Sequence, residues 1–368
     1  MANMLSHQQQ LQQRFMRNAR RQSLQEKAAK YGQQQTMRSP SAQNPDGYSN
    51  STSSQSLRQT MTAADSVYDE LPIGPNEIEA IILEDDYIPT FKAACQHGPL
   101  STVQSMVSSQ TPPRTRSFLH HGLVVALRAG SIDIARYLLS AGAPIIRETP
   151  ENVLSAPADQ QLTLFELLVS YGWTVNTPGF YGAVLLPKVV AKIPLLQWFL
   201  AHGADPNLGQ QRDYRDRTGG SDEDSCAALE EAAAQGNLAA VRLLLDAGAK
   251  IQHGIPLHSA AGACQPGMNP HTGRVTPSKE FDQSRIPVMA LLVERGADVN
   301  QAEKSRHMVP QYAIVHAVMA GAVERARWLL DHGADAELKG NFGSAVTYAT
   351  MGSEEMRDTI NKLVKAKR

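Results

Sequence analysis

The sequence predicts an all-α array of repeated helix–turn–helix units, on three observations. Apolar residues fall at helical spacing in short paired runs, Leu229, Ala232 and Ala233 and then Val241, Leu244 and Leu245. A glycine punctuates each run: Gly236 breaks the first, and Gly248 stops the second where a left-handed cap belongs. The same ending, glycine followed by alanine, returns at Gly142, Gly203, Gly296 and Gly333. Ala232 and Ala233 are small enough for the two helices to approach closely. One such hairpin leaves an apolar side open, so each unit needs a neighbour stacked on it.

The opening half of a second signature stands at Ile255-Pro256-Leu257-His258-Ser259-Ala260-Ala261. Together with the closing Gly-Ala-Asp element, as in Gly203-Ala204-Asp205 and Gly333-Ala334-Asp335, it resembles the ankyrin repeat, whose period is about 33 residues and whose opening is Thr-Pro-Leu-His-x-Ala. The resemblance covers roughly Pro89 to the C terminus and implies a solenoid of about eight units. It also implies that His258 orients a loop through hydrogen bonds, a structural role. The opening element is intact only around His258.

In chain order, residues 1–64 are rich in Gln, Ser, Arg and Asn and poor in large apolar side chains, so a disordered arm is expected. A transient helix, or a coiled coil, fits His7 to Lys30. Its charge is one-sided: Arg14, Arg17, Arg20, Arg21, Lys27 and Lys30 face only Glu26. A targeting segment of mitochondrial type is one alternative, but its amphipathic face is thin, essentially Leu11 and Phe15. Residues 65–88 invert the charge with Asp65, Asp69, Glu70, Glu77, Glu79, Glu84, Asp85 and Asp86. A short helix over Ile78 to Leu83 would cap the first repeat.

The stack is expected over 89–368. Its first repeat has Phe91, Ala94 and Cys95 facing Val103 and Met106. In the third, Pro157 and Asp159 shorten the first helix and Gly172-Trp173 replaces Gly-Ala. In the fourth, Pro187 leaves room for only a kinked or short first helix. Ser353-Glu354-Glu355 starts a last helix with a capping hydroxyl and early acids, and its outer face is polar, as a terminal cap requires. Two polar, turn-rich insertions break the period, at 208–224 and 264–284. Segments of that length are functional or structureless, and a structureless state is the first expectation for both.

Composition narrows the chemistry. A formal net charge of -1 over 368 residues favours neither nucleic acid nor a membrane surface. No apolar run is long enough to span a bilayer. Cys95, Cys226 and Cys264 lack metal-ligand spacing and read as buried small side chains in first helices. No phosphate-loop, dinucleotide, zinc-protease or nucleophile-elbow motif occurs, so no catalytic residue, cofactor or metal is expected. His120-His121 lacks a third ligand nearby. Trp198 and Trp328 fall where repeat five has Leu243, a packing position; Trp173 could pack or make a contact.

The expected function is a non-catalytic scaffold or adaptor, monomeric and cytoplasmic, that binds another protein. The resemblance implies that the concave surface and hairpin tips do the binding. There the candidates are Phe180, Tyr181, Tyr214 and Arg215, then Glu231, Gln235 and His253, and finally Lys304, Arg306, His307 and Phe342. Mixed aromatic, cationic and acidic residues suit a protein surface better than a phosphate backbone. The alternative is a transcriptional cofactor or inhibitor, in the nucleus, that uses the Gln-rich arm. Ser23, after Arg20-Arg21, is a candidate phosphosite.

Overall fold

The computed structural model describes residues 87–108, 116–270, 273–304, 310–341 and 343–367. The arm, the acidic segment's expected helix and Ser23 lie outside them, as do Arg306, His307 and Phe342. The chain divides into two compact units, Met1–Pro144 and Ile145–Arg368.

The described part of the first unit is two helical hairpins, α1 (Tyr87–His97) with α2 (Leu100–Ser108) and α3 (Arg116–Ala129) with α4 (Ile132–Ser140). Phe91, Cys95, Val103 and Met106 are buried, as their spacing requires. Phe91 stacks on Phe118 with ring centroids 4.2 Å apart. His120 and His121 are both buried within α3. Burial, and then the neighbouring His121, push His120 down to about 3, so it folds as a neutral ring.

The second unit opens with a 3-10 turn, Pro150–Ser155, in place of a full first helix, followed by α5 (Ala158–Ser170). Pro157 sits at the N-cap of α5. Repeat four has the short first helix that Pro187 dictates, α6 (Leu186–Val189), and then α7 (Ile193–Ala201). Next come α8 (Ala227–Gln235) and α9 (Leu238–Asp246), α10 (Pro256–Gly262), α11 (Lys279–Ser284) and α12 (Ile286–Glu294). The unit ends with α13 (Ala313–Met319) and α14 (Val323–Asp331), then α15 (Ala345–Ala349) and α16 (Glu354–Lys367). The inner helices α8, α10 and α13 stack on one another through fully buried alanines such as Ala228, Ala232, Ala260, Ala261, Ala313 and Ala317. Ser353 caps α16, its hydroxyl accepting from the Met356 N–H at 3.1 Å. Cys226 is buried but stands at the N-cap of α8, and half-buried Cys264 lies past the end of α10, so two of the three thiols fall outside the helices expected to hold them.

The Gly-Ala ending has a physical reason. Gly142, Gly203, Gly248, Gly296 and Gly333 adopt φ between 81° and 98°, a left-handed region that favours glycine. The next N–H then turns back on the helix: Ala249 donates to Leu244 at 2.9 Å, Ala204 to Phe199 at 3.0 Å and Ala334 to Leu329 at 2.9 Å. This is the helix-closing bond of a Schellman turn. Trp173 does the same, donating to Leu168 at 3.1 Å after left-handed Gly172. Its ring is buried against Phe165 and Phe199, with centroids at 5.5 and 6.1 Å, so packing is its role.

Four residues past three of those glycines stands an asparagine that ties one repeat to the next. The Asn176 amide donates to Gly203 O at 2.8 Å and its oxygen accepts from Asp205 N at 2.9 Å. Asn207 does this with Gly248 and Lys250, and Asn300 with Gly333 and Asp335. After Gly248 the equivalent residue is exposed Gln252, and the ladder skips a step. Asn300→Ala removes both bonds of one rung and is expected to cost about 1–2 kcal/mol, read from urea unfolding; an unchanged midpoint would show that water replaces the rung at no cost.

The described residues of the insertion at 264–284 are folded, contrary to the expectation of a structureless loop. Its polar residues bond to the stack, which composition alone does not reveal. Arg274 donates to the Met351 carbonyl at 3.1 Å. The Val275 carbonyl lies against Gly321, where a Cβ would stand only 2.1 Å from it. Asp282, on α11, is buried and accepts from Glu324 N at 2.7 Å and Arg325 N at 3.2 Å. It thereby caps α14, whose own N-cap, Ala322, has no side-chain acceptor. The Arg325 guanidinium is fully buried, bonded through Nε to Asp282 at 2.8 Å and through Nη1 to the carbonyls of Ala260, Ala261 and Ala263.

Candidate partner-binding surface

Between its hairpins the second unit projects loops, and the longest of them, 208–224, is ordered rather than structureless. Gly209 and Asp222 exchange backbone bonds at 3.0 and 2.9 Å, closing its neck. Gln211 is buried and pins the interior: its amide donates to Gly220 O at 2.9 Å, and its oxygen accepts from Asp216 N at 3.0 Å. The tip folds back on the preceding finger, the 3-10 turn Phe180–Gly182. There Tyr181 N donates to Arg217 O at 2.7 Å, Tyr181 O accepts from Gln211 N at 2.8 Å, and Ser221 Oγ donates to Gly182 O at 2.6 Å.

Two arginines lace successive fingers. Arg147 donates to Pro178 O and Gly179 O at 3.1 Å each, and also to Thr218 O. Arg212 donates to Asp224 O at 2.7 Å and His253 O at 2.9 Å. Sequence reasoning missed both, because their partners are backbone carbonyls 31 to 71 residues away for Arg147 and up to 41 for Arg212.

Among the expected site residues, Phe180, Tyr181, Tyr214, Arg215 and His253 gather on these fingers. The Arg217 guanidinium lies 4.2 Å above the Phe180 ring. Tyr181 and Tyr214 meet edge to face at 5.3 Å. Both adopt left-handed backbones, with φ of 53° and 50°, which costs a non-glycine residue about 1–2 kcal/mol. Tyr214 is 60% exposed. Arg215 is a strut and not a free cation, bonded to Asp222 at 2.9 Å and to Asp213 at 3.4 Å. Glu231 and Gln235 stand apart, exposed one turn apart on α8, the amide donating to the carboxylate at 2.7 Å. Lys304 is exposed beyond the next finger.

His258 Nε2 sits 3.0 Å from the Gln311 carbonyl, tying α10 to the following finger. Glu230 occupies the same position one repeat earlier and does the same job with a carboxylate, accepting from Ile255 N at 2.7 Å. Burial, and then nearby His316, lower His258 to about 4. Its folded form therefore binds fewer protons than the unfolded chain between about pH 6.5 and 4, and stability must fall as pH drops through that window. The loss attributable to His258 is expected to reach roughly 3 kcal/mol. It should vanish in His258→Gln, whose amide can still donate; parallel pH profiles for the two proteins would refute it.

Trp198 and Trp328 are half-buried, each stacked on the histidine four residues later, at 3.9 and 3.8 Å. Burial raises the Cys95 thiol to about 12 and also raises Cys226, so neither is a nucleophile. Among the described residues no group of three or more His, Cys, Asp or Glu could hold a metal ion, and no helix is long and apolar enough to cross a membrane.

No protein-family model and no curated protein matches the chain. Among solved structures it is similar to the ankyrin repeat domain of Bcl-3, described as a unique member of the IkappaB protein family, at 18% identity and a TM-score of 0.38, over 66% of this chain and 85% of that one. It is also similar to the human ASB11 ankyrin repeat domain at 17% identity and a TM-score of 0.37, over 74% of this chain and 96% of that one. The paired helices, the Gly-Ala closing turns, the asparagine rungs and the intact opening at His258 make the described residues an all-α ankyrin-repeat fold.

Proposed function

We propose that the chain is a non-catalytic scaffold that binds a partner protein through the inner helices and fingers of residues 145–368. The observation that supports this is the lacing by Arg147 and Arg212. Loops fixed by side-chain bonds before a partner arrives lose little further conformational freedom on binding, and exposed aromatic and arginine residues are the types enriched at protein-binding hot spots. Glu231, Gln235 and Lys304 extend the same proposed surface beyond the fingers.

The test is site-specific photo-crosslinking of the full chain. A photoreactive residue at Gln235, on the inner helix, is expected to capture a defined partner band. The same group at Arg242, exposed on α9, should not. Equal capture from both positions would remove the finger-and-inner-helix face as the binding surface.

A further inference from the structure

We infer that Arg285, held on the Phe281 ring beside the end of the inner helix α8, receives a carboxylate side chain of the partner protein. This rests on the protein-binding reading above and names the chemistry of one contact in it.

The first observation is charge. Arg285 is half-buried, and its one hydrogen bond runs from Nη1 to Ser284 Oγ at 2.7 Å. The Nε–H is buried and meets no acceptor. The carbonyls of Ala232 and Ala233 at the end of α8 are taken by the Gly236 and Asn237 N–H groups. Asp282, three residues away, is committed to Arg325 and to two amides of α14. Arg285 is also the N-cap residue of α12, the positive end of that helix, where a cation is unfavourable. Burial, and then the nearby Arg325, lower its pKa, and no carboxylate opposes them. Arg325 makes the contrast, since there Asp282 opposes the burial. A partly desolvated guanidinium without a counter-charge is costly, and an arriving anion removes that cost.

The second observation is placement, and it selects the visitor. The guanidinium carbon lies 3.8 Å from the centroid of the Phe281 ring. It also packs on Gly236, where a Cβ would stand 3.1 Å from Nε and 3.2 Å from the guanidinium carbon. Gly236 follows Gln235 directly, so the cation borders the exposed inner-helix residues of the proposed surface. The ring and the Ser284 bond order the fork before a partner arrives, which limits the entropy lost on binding. With Nη1 committed, the Nε–Nη2 edge remains, and a planar carboxylate matches such an edge with two parallel bonds.

Fluorescence anisotropy with the full chain tests this. The probes are labelled Gly-Ser peptides carrying spaced glutamates, spaced arginines, phosphoserines, or none of these. The glutamate peptide is expected to bind best and to weaken with salt. Arg285→Gln should weaken it about tenfold while the unfolding midpoint stays level or rises, because an uncompensated charge is lost. Arg285→Lys keeps the charge but not the fork, so its affinity should fall between the two. Arg242→Gln, on the exposed side of α9, should bind like the parent chain. Unchanged glutamate-peptide binding in Arg285→Gln, an equal loss in Arg242→Gln, or a preference for the arginine or phosphoserine peptide overturns the proposal. None of these results bears on whether the inner helices bind a partner, which crosslinking from Gln235 decides separately.

Discussion

Arg325→Met is expected to destabilise the second unit by about 3–5 kcal/mol, the range for removing one member of a buried ion pair. The guanidinium is fully buried and its attraction to Asp282 at 2.8 Å is only part of its role. Nη1 also collects three carbonyls at the end of α10. Methionine fills the volume but leaves those carbonyls without a donor and Asp282 without a counter-charge. Burial pulls the Arg325 pKa down and Asp282 opposes it, so Asp282→Asn should also cost several kcal/mol by stranding the arginine. The pair is coupled, and replacing both residues by apolar ones should cost less than the sum of the two single changes. Urea unfolding of the four proteins in that cycle measures it. A loss below about 1 kcal/mol for Arg325→Met would mean that water enters and solvates the site.

Leu244→Ala is the second large effect, about 2–5 kcal/mol. Leu244 is completely buried in α9, and its carbonyl accepts the Schellman bond from Ala249. Truncation leaves a cavity in a helix whose neighbours are α8, α7 and α12. Because repeats touch only the next repeat, the damage should stay within repeats four to six. Hydrogen exchange should show amides of α7 to α12 losing protection while those of α16 keep theirs. Uniform loss out to α16 would contradict nearest-neighbour coupling.

The repeats were legible because their signals are local. Periodicity placed Leu229, Val241 and Leu244 inside, glycine marked the turns, and Pro187 announced the short α6. The Ser353 cap followed from one hydroxyl ahead of two acids. What escaped was chemistry between residues far apart in the chain. Asp282 looks like one more polar residue in a polar insertion, and nothing in its neighbours reveals that it caps α14. Arg147, Arg212 and Gln211 bind backbone carbonyls, which carry no sequence signature. The asparagine rungs were readable in principle, from an asparagine four residues after Gly172, Gly203 and Gly296. Arg215 was legible as an arginine at a loop tip but not as a strut, since that depends on Asp222 turning back beneath it.

The Asp282–Arg325 arrangement also constrains how this gene can change. In most repeat arrays an insertion between two helices can be trimmed, and the regular hairpin remains. Here the insertion supplies a carboxylate bonded to a buried guanidinium in the following repeat. Excising 264–284 would strand that charge, and mutating Arg325 first would strand Asp282. Either step alone passes through a poorly folded intermediate, so the two are expected to be lost or kept together. The insertion is in this way a dependency of the array and not an ornament on it.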